Sequence, residues 1–110
     1  LKAPDAGQIT ALYAHNDDMA LGASQAMEEA GRQPGKDILI VSIDGVRGAF
    51  EAMVAGKLNC TVECNPLIGP QLFDAVKAIM AGEKLPKRTA VDEGVYEQSQ
   101  AAEALPKRQY

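Results

Sequence analysis

Polar side chains follow three apolar stretches of this sequence, each at the point where the stretch ends. The first stretch is followed by His15, Asn16 and Asp17, the second by Asp44, and the third by the segment 63–65, which is Glu-Cys-Asn. A carboxylate accepts hydrogen bonds from hydroxyl groups, and an amide both donates and accepts them. Hydrogen bonds to a charged oxygen are the stronger ones. These residue types therefore suit a ligand that carries many hydroxyl groups.

Each of these residues also has a purely structural interpretation. Asn16 is an N-cap candidate for a helix, and Asp17 and Asp18 would then lie in the first turn, where the helix dipole favours negative charge. Asp44 would be a helix cap or part of an Asx turn, Glu63 would face solvent from its strand, and Asn65 would belong to a turn before proline. The recurrence of polar residues at three consecutive strand ends is the observation that favours binding.

The sequence lacks the residue patterns that are typical of catalytic and metal sites. His15 is the single histidine, no nucleophile-elbow motif surrounds Ser42, and no phosphate-binding glycine motif occurs. In an extended strand, Cys60 and Cys64 would lie ~13 Å apart, beyond the reach of a disulfide. We expect both cysteines to be small buried residues. We therefore predict that the chain is no enzyme and binds neither a metal nor another cofactor.

Composition sets further limits on the function. The 110 residues, 46% of them hydrophobic, are enough for one globular domain. The net charge of −4 argues against nucleic-acid or membrane-surface binding, because phosphates repel an acidic face. No apolar run approaches the roughly 20 residues that span a bilayer.

Strand-like and helix-like segments alternate along the chain. Three segments are rich in strand formers, namely 9–14, 38–43 and 58–63. The second is nearly all apolar, which is typical of a parallel strand covered on both faces. Helical periodicity follows each strand and stops at a glycine: Gly31, Gly56 and Gly82. A weak strand within 89–95 and a short helix over 98–104 complete the prediction of an α/β fold, with a parallel sheet flanked by helices. Ligands of such sheets bind at the carboxyl ends of the strands.

Three longer motifs resemble one family. The stretches YAHNDDMALGASQAMEEAG, PGKDILIVSIDG and GKLNCTVECNPLIGPQ are similar to the C-terminal lobe of periplasmic sugar-binding proteins of ABC importers. Within this group the likeness is greatest to galactofuranose-binding members, and ribose- and galactose-binding members are more distant. The ligand domains of LacI-type repressors share the fold and weaker versions of the motifs.

The resemblance implies a set of ligand contacts. In such proteins the residues matching Asn16 and Asp44 bind sugar hydroxyls. The ribose-binding pattern places a glutamine where this sequence has Cys64, so Glu63 is our preferred third contact and Asn65 the next candidate. Alternation along a strand puts Glu63 and Asn65 on one face and Cys64 on the other.

The resemblance also implies an architecture and partners. Residues 1–110 would form a partial C-terminal lobe of the type I periplasmic binding protein fold, a Rossmann-like α/β/α arrangement. The lobe would begin late and end at what resembles the natural C-terminus. The expected partners are a monosaccharide (galactofuranose or a similar aldose), the membrane permease and the missing N-terminal lobe, with no nucleic acid. The full-length protein would be a periplasmic monomer. The alternative is the ligand-sensing domain of a LacI-type transcription regulator.

Overall fold

Four strands form one sheet in the computed structural model, which describes residues 6–110. The strands are β1 Ala11–Tyr13, β2 Leu39–Asp44, β3 Cys60–Glu63 and β4 Val95–Glu97, adjacent in that order. β1, β2 and β3 run parallel, whereas β4 pairs antiparallel with β3. The predicted parallel sheet is confirmed for the first three strands. β4 runs the opposite way because the chain leaves β3 at its carboxyl end and returns to the sheet at that same edge.

Four α-helices accompany the strands: α1 Asp17–Glu29, α2 Arg47–Val54, α3 Gly69–Met80 and α4 Gln98–Ala104. Asn16 caps α1, because its Oδ1 accepts a hydrogen bond from Met19 N at 2.8 Å. Gly31, with φ of 72°, follows the helix, and the next amide, of Arg32, donates back to the Met27 carbonyl at 2.9 Å. The predicted start and stop of this helix are thus confirmed, as is the whole of α4. No helix within residues 6–110 has the length and apolar character to cross a membrane.

The core lies on one face of the sheet. Ile40 of β2, Met27 of α1, Phe50 of α2 and Ala101 of α4 belong to a single buried cluster, which we call the Ile40 cluster. Burial alternates along β2, so Leu39 and Val41 on its other face are exposed. The expectation that β2 is covered on both faces is therefore wrong within residues 6–110, where α1, α2 and α4 all pack on the Ile40 side.

Helix α3 stands apart from this core. None of its residues is buried. Its large apolar side chains are between 44% and 83% exposed, and they form what we call the α3 stripe: Leu72, Phe73, Val76, Ile79 and Met80. The helix predicted from the periodicity is present, but its apolar face is largely exposed among the described residues.

The two cysteines differ in their surroundings. Both thiols are free; Cys60 is half-buried in β3, and Cys64 is exposed just beyond that strand. The expectation that both are buried residues is wrong, because β3 ends at Glu63 and leaves the next side chain outside the core.

Candidate functional site

The strand ends that carry the candidate residues meet at one edge of the sheet. Asp44 pairs directly with Glu63, so the last residues of β2 and β3 lie side by side. Tyr13, the last residue of β1, pairs with Val41 of β2, and the segment after it reaches the same edge. We call this edge the rim, made of residues 15–17, 44–45 and 63–65.

Asp17 is the buried centre of the rim. It is fully buried, and its carboxylate accepts four hydrogen bonds. Two come from the hydroxyls of Ser42 and Thr61, the latter at 2.8 Å. Two come from the backbone amides of Gly45 at 2.7 Å and Val46 at 2.8 Å. The N-terminus of α1 is therefore tied to both β2 and β3.

Sequence reasoning placed Asp17 in the first helical turn, which is confirmed, but missed this role. A signal was present, since Ser42 and Thr61 are hydroxyl residues inside strands that are otherwise largely apolar. Both are fully buried, and a buried hydroxyl needs a hydrogen-bond partner. The partner is the carboxylate at the start of α1.

The hydrogen bonds of Asp17 bring Asn16 and Asp44 together. Asn16 precedes Asp17, Asp44 precedes Gly45, and Asp17 Oδ2 accepts from Gly45 N at 2.7 Å. Asp44 has a φ of 121°, which residues with a side chain rarely adopt. Within residues 6–110, no side-chain hydrogen bond or ion pair involves the Asp44 carboxylate or Asn16 Nδ2. Both groups therefore keep hydrogen-bonding capacity at the rim.

Glu63 and Asn65 have partners within the chain instead. The Glu63 carboxylate accepts from Arg108 Nη2 at 2.7 Å, from the Tyr110 hydroxyl at 2.6 Å and from Gly94 N at 3.0 Å. Asn65 Oδ1 accepts from the amide two residues later at 2.8 Å, which is the turn expected before a proline. Arg108 and Tyr110 were not anticipated from the sequence.

Protonation at this end of the rim follows from those contacts. Burial alone would raise the pKa of Glu63, but the hydrogen bonds from Tyr110 and Arg108 outweigh it and lower the pKa below the usual 4.5. Burial, together with the hydrogen bond to Glu63, raises the pKa of Tyr110 to about 12. Burial alone would lower the pKa of Arg108, but the hydrogen bond and the charge of Glu63 outweigh it, so this pKa is raised. The cluster is thus a carboxylate held between a guanidinium and a neutral phenol.

The rim's remaining side chains are exposed. His15 faces solvent with its ring centroid 5.3 Å from that of Tyr13, and the planes are tilted by 48°. No group of three or more His, Cys, Asp or Glu side chains within residues 6–110 is arranged to hold a metal ion. The Asp44 carboxylate and the Asn16 amide supply hydrogen-bonding groups at the rim.

Comparison with known proteins gives relatives over nearly the whole chain. No family model matches it. It is 42% identical over 110 residues to the galactofuranose-binding protein YtfQ of Escherichia coli (strain K12), covering 98% of this chain and 35% of that protein. A crystal structure from Mycobacterium smegmatis in complex with β-D-fucofuranose matches with a TM-score of 0.88 and 48% identity, over 96% of this chain and 34% of the other.

A third relative binds another furanose. It is the periplasmic binding protein component of the arabinose ABC transporter from Shewanella sp. ANA-3, bound to α- and β-L-arabinofuranose. Its TM-score is 0.85 at 48% identity, over 96% of this chain and 35% of that one. This chain is thus homologous to periplasmic sugar-binding proteins, over a segment that makes up about a third of their length.

Proposed function

We propose that this chain is part of the sugar-binding component of an ABC importer and contributes one wall of a monosaccharide site. The observation that carries the proposal is that Asn16 and Asp44 flank the hydrogen bond between Asp17 and Gly45 at the rim, and that both keep unused hydrogen-bonding groups. The ligand would be galactofuranose or a similar aldose, in keeping with the furanose sugars bound by two of the relatives.

The two side chains would divide the recognition of the sugar. The Asp44 carboxylate accepts hydrogen bonds from two hydroxyls, and Asn16 Nδ2 donates to a sugar oxygen. Bonds to the charged group supply most of the affinity. A sugar that lacks a matching hydroxyl would leave a polar group unpaired, which is how such a site rejects analogues. Glu63 and Asn65 stay predictions as further contacts.

The second wall would come from a lobe that these residues do not include. The α3 stripe supports this proposal, because helices bury their apolar faces, whereas the apolar face of α3 is largely exposed. The exposed Leu39 and Val41 on the open face of β2 support it as well. Both are apolar surfaces that a part of the protein outside these residues would cover. Residues 1–110 would then be a partial C-terminal lobe.

The wider role follows from the relatives, which are sugar-binding proteins of importers rather than enzymes. We extend this to a permease partner, a periplasmic location and a monomeric complete protein. These relatives favour the importer over the alternative, a ligand-sensing domain of a LacI-type regulator.

The test uses the longest form of the protein that its gene encodes. Calorimetric titration with galactofuranose, arabinofuranose and ribose should detect binding of at least one furanose. Asp44→Ala should weaken that binding by about 1.5–3 kcal/mol, the usual contribution of a hydrogen bond to a charged group. Asn16→Ala should weaken it less, and Asp18→Ala, an exposed neighbour, is the matched control. Unchanged affinity in both rim variants would remove these residues from the site, and no binding of any sugar would contradict the function.

A further inference from the structure

Arg108 is a nearly buried cation that links two parts of the rim. Its side chain is 8% exposed, and its Nη2 lies 2.7 Å from Glu63 Oε1. The same nitrogen donates to the carbonyl oxygen of Gly45 at 2.6 Å. One guanidinium therefore joins the end of β3 to the turn that follows β2.

Aromatic rings fix the guanidinium in place. Its Cζ lies 4.7 Å from the ring centroids of Phe50 and Tyr110 and 5.4 Å from that of Tyr96, distances at which cation–π attraction operates. Tyr110 is anchored in turn, because its hydroxyl donates to Glu63 at 2.6 Å. Arg108 thus has little freedom to leave the Gly45 carbonyl.

Gly45 is held from both sides. Asp17 accepts from its amide, and Arg108 donates to its carbonyl. Both Asp44, with φ of 121°, and Gly45, with φ of 77°, lie in the region that side chains disfavour. A Cβ on Gly45 would lie 3.2 Å from Arg108 Nη2, so the guanidinium would have to shift by a few tenths of an ångström to make room for a side chain here.

We propose that Arg108 is a positioning residue for the sugar site, acting through Gly45 to hold the unusual Asp44 backbone and so direct the Asp44 carboxylate. This inference rests on the proposed function, in which Asp44 contacts the ligand. Because no side-chain partner within residues 6–110 orients that carboxylate, its direction depends on the backbone of the turn. Arg108 itself does not need to touch the sugar.

A double-mutant cycle in the longest natural form of the protein tests the inference. The probe is whichever furanose the unmodified protein binds in the titrations above. Arg108→Met should weaken binding about tenfold in the unmodified protein and less than about twofold in an Asp44→Ala background. Arg108→Lys, which keeps the charge but loses the planar fork, should recover part of the affinity. Lys107→Met is the matched control, because Lys107 pairs only with exposed Glu103 within residues 6–110.

The outcomes separate the two proposals. If Asp44→Ala leaves the affinity unchanged, the proposed site fails and the role of Arg108 fails with it. If Asp44→Ala weakens binding but Arg108→Met has the same effect in both backgrounds, or none in either, only the positioning role is overturned. Should Arg108→Met fail to fold, Tyr110→Phe is the second variant, because it removes the hydroxyl that anchors Tyr110 beside Arg108. A loss of sugar affinity of about two- to fivefold that vanishes in the Asp44→Ala background would support the inference. A loss of affinity that persists in that background would overturn it.

Discussion

The side chains of Asp17 and Thr61 are joined by a hydrogen bond of 2.8 Å, although 44 positions separate them in the sequence. The bond connects the first residue of α1 to the middle of β3. With the bonds from Ser42, Gly45 and Val46, it places four donors around one buried carboxylate. The rim therefore depends on a carboxylate that is itself fully buried.

Removing this carboxylate should destabilise the chain strongly. Asp17→Ala leaves buried donors without an acceptor, and we expect a loss of about 3–5 kcal/mol in the free energy of unfolding. Asp18→Ala is the control, since its exposed side chain can lose no more than about 1 kcal/mol of helix-dipole interaction. Urea denaturation followed by circular dichroism measures both values. Equal losses in the two variants would show that Asp17 acts only on the helix dipole.

The lowered pKa of Glu63 predicts stability that is lost in acid. Because the folded-state pKa lies below the unfolded value of 4.5, the carboxylate contributes fully above about pH 4.5, and its contribution disappears as the pH falls through the folded pKa. The stability difference between the unmodified chain and Glu63→Gln should therefore be constant near neutral pH and shrink in acid. Glu103→Gln, at an exposed ion pair, should show a small difference throughout. A Glu63→Gln difference that does not vary with pH would contradict the assignment.

Replacing each of two glycines by alanine should change the stability of the chain in opposite directions. A Cβ at Gly22, inside α1, would extend into open space, so Gly22→Ala should stabilise the chain by about 0.5–1 kcal/mol. Gly35 has a φ of 76°, and a Cβ there would lie 2.4 Å from the Gly56 carbonyl oxygen. Gly35→Ala should lower the free energy of unfolding by about 1–3 kcal/mol through the strained backbone conformation, before any clash is counted. Thermal unfolding measures both changes, and a tolerated Gly35→Ala would contradict the packing at this turn.

The two thiols should react at different rates. Cys64 is exposed at the rim, whereas burial, followed by the charge of Glu97, raises the pKa of Cys60 and lowers its thiolate fraction. A thiol-reactive dye should label one cysteine quickly and the other slowly. Cys64→Ser should abolish the fast phase, and Cys60→Ser should abolish the slow one. A fast phase that survives Cys64→Ser would place Cys60 at the surface.

Local features of the fold could be predicted from the sequence. Asn16 as a cap, Gly31 as a stop and the span of α4 depend on residues within a few positions of one another, and the motif similarity extends over the same segments. The edge that gathers Asn16 and Asp44 followed from the parallel strand order, since such strands end on one side.

The contacts that shape the rim could not be predicted in this way. Arg108 reaches Gly45 across 63 positions, and Tyr110 reaches Glu63 across 47. Neither periodicity nor composition carries information about such pairs. The apolar patterns of α3 and β2 predict buried faces, yet these faces are exposed. An apolar pattern indicates that a face is buried in the complete protein, but it does not indicate which segment packs against it.

Helix α3 has a practical consequence for protein engineering. Glu63 and Gly94 lie directly opposite each other at the ends of β3 and β4, and Glu63 N donates to Gly94 O at 2.8 Å. A two-residue Asn-Gly turn in place of residues 64–93 would join these strands as a hairpin. The shortened protein would keep the Ile40 cluster and the hydrogen bonds of Asp17 and Arg108, while losing the exposed apolar side chains of the α3 stripe.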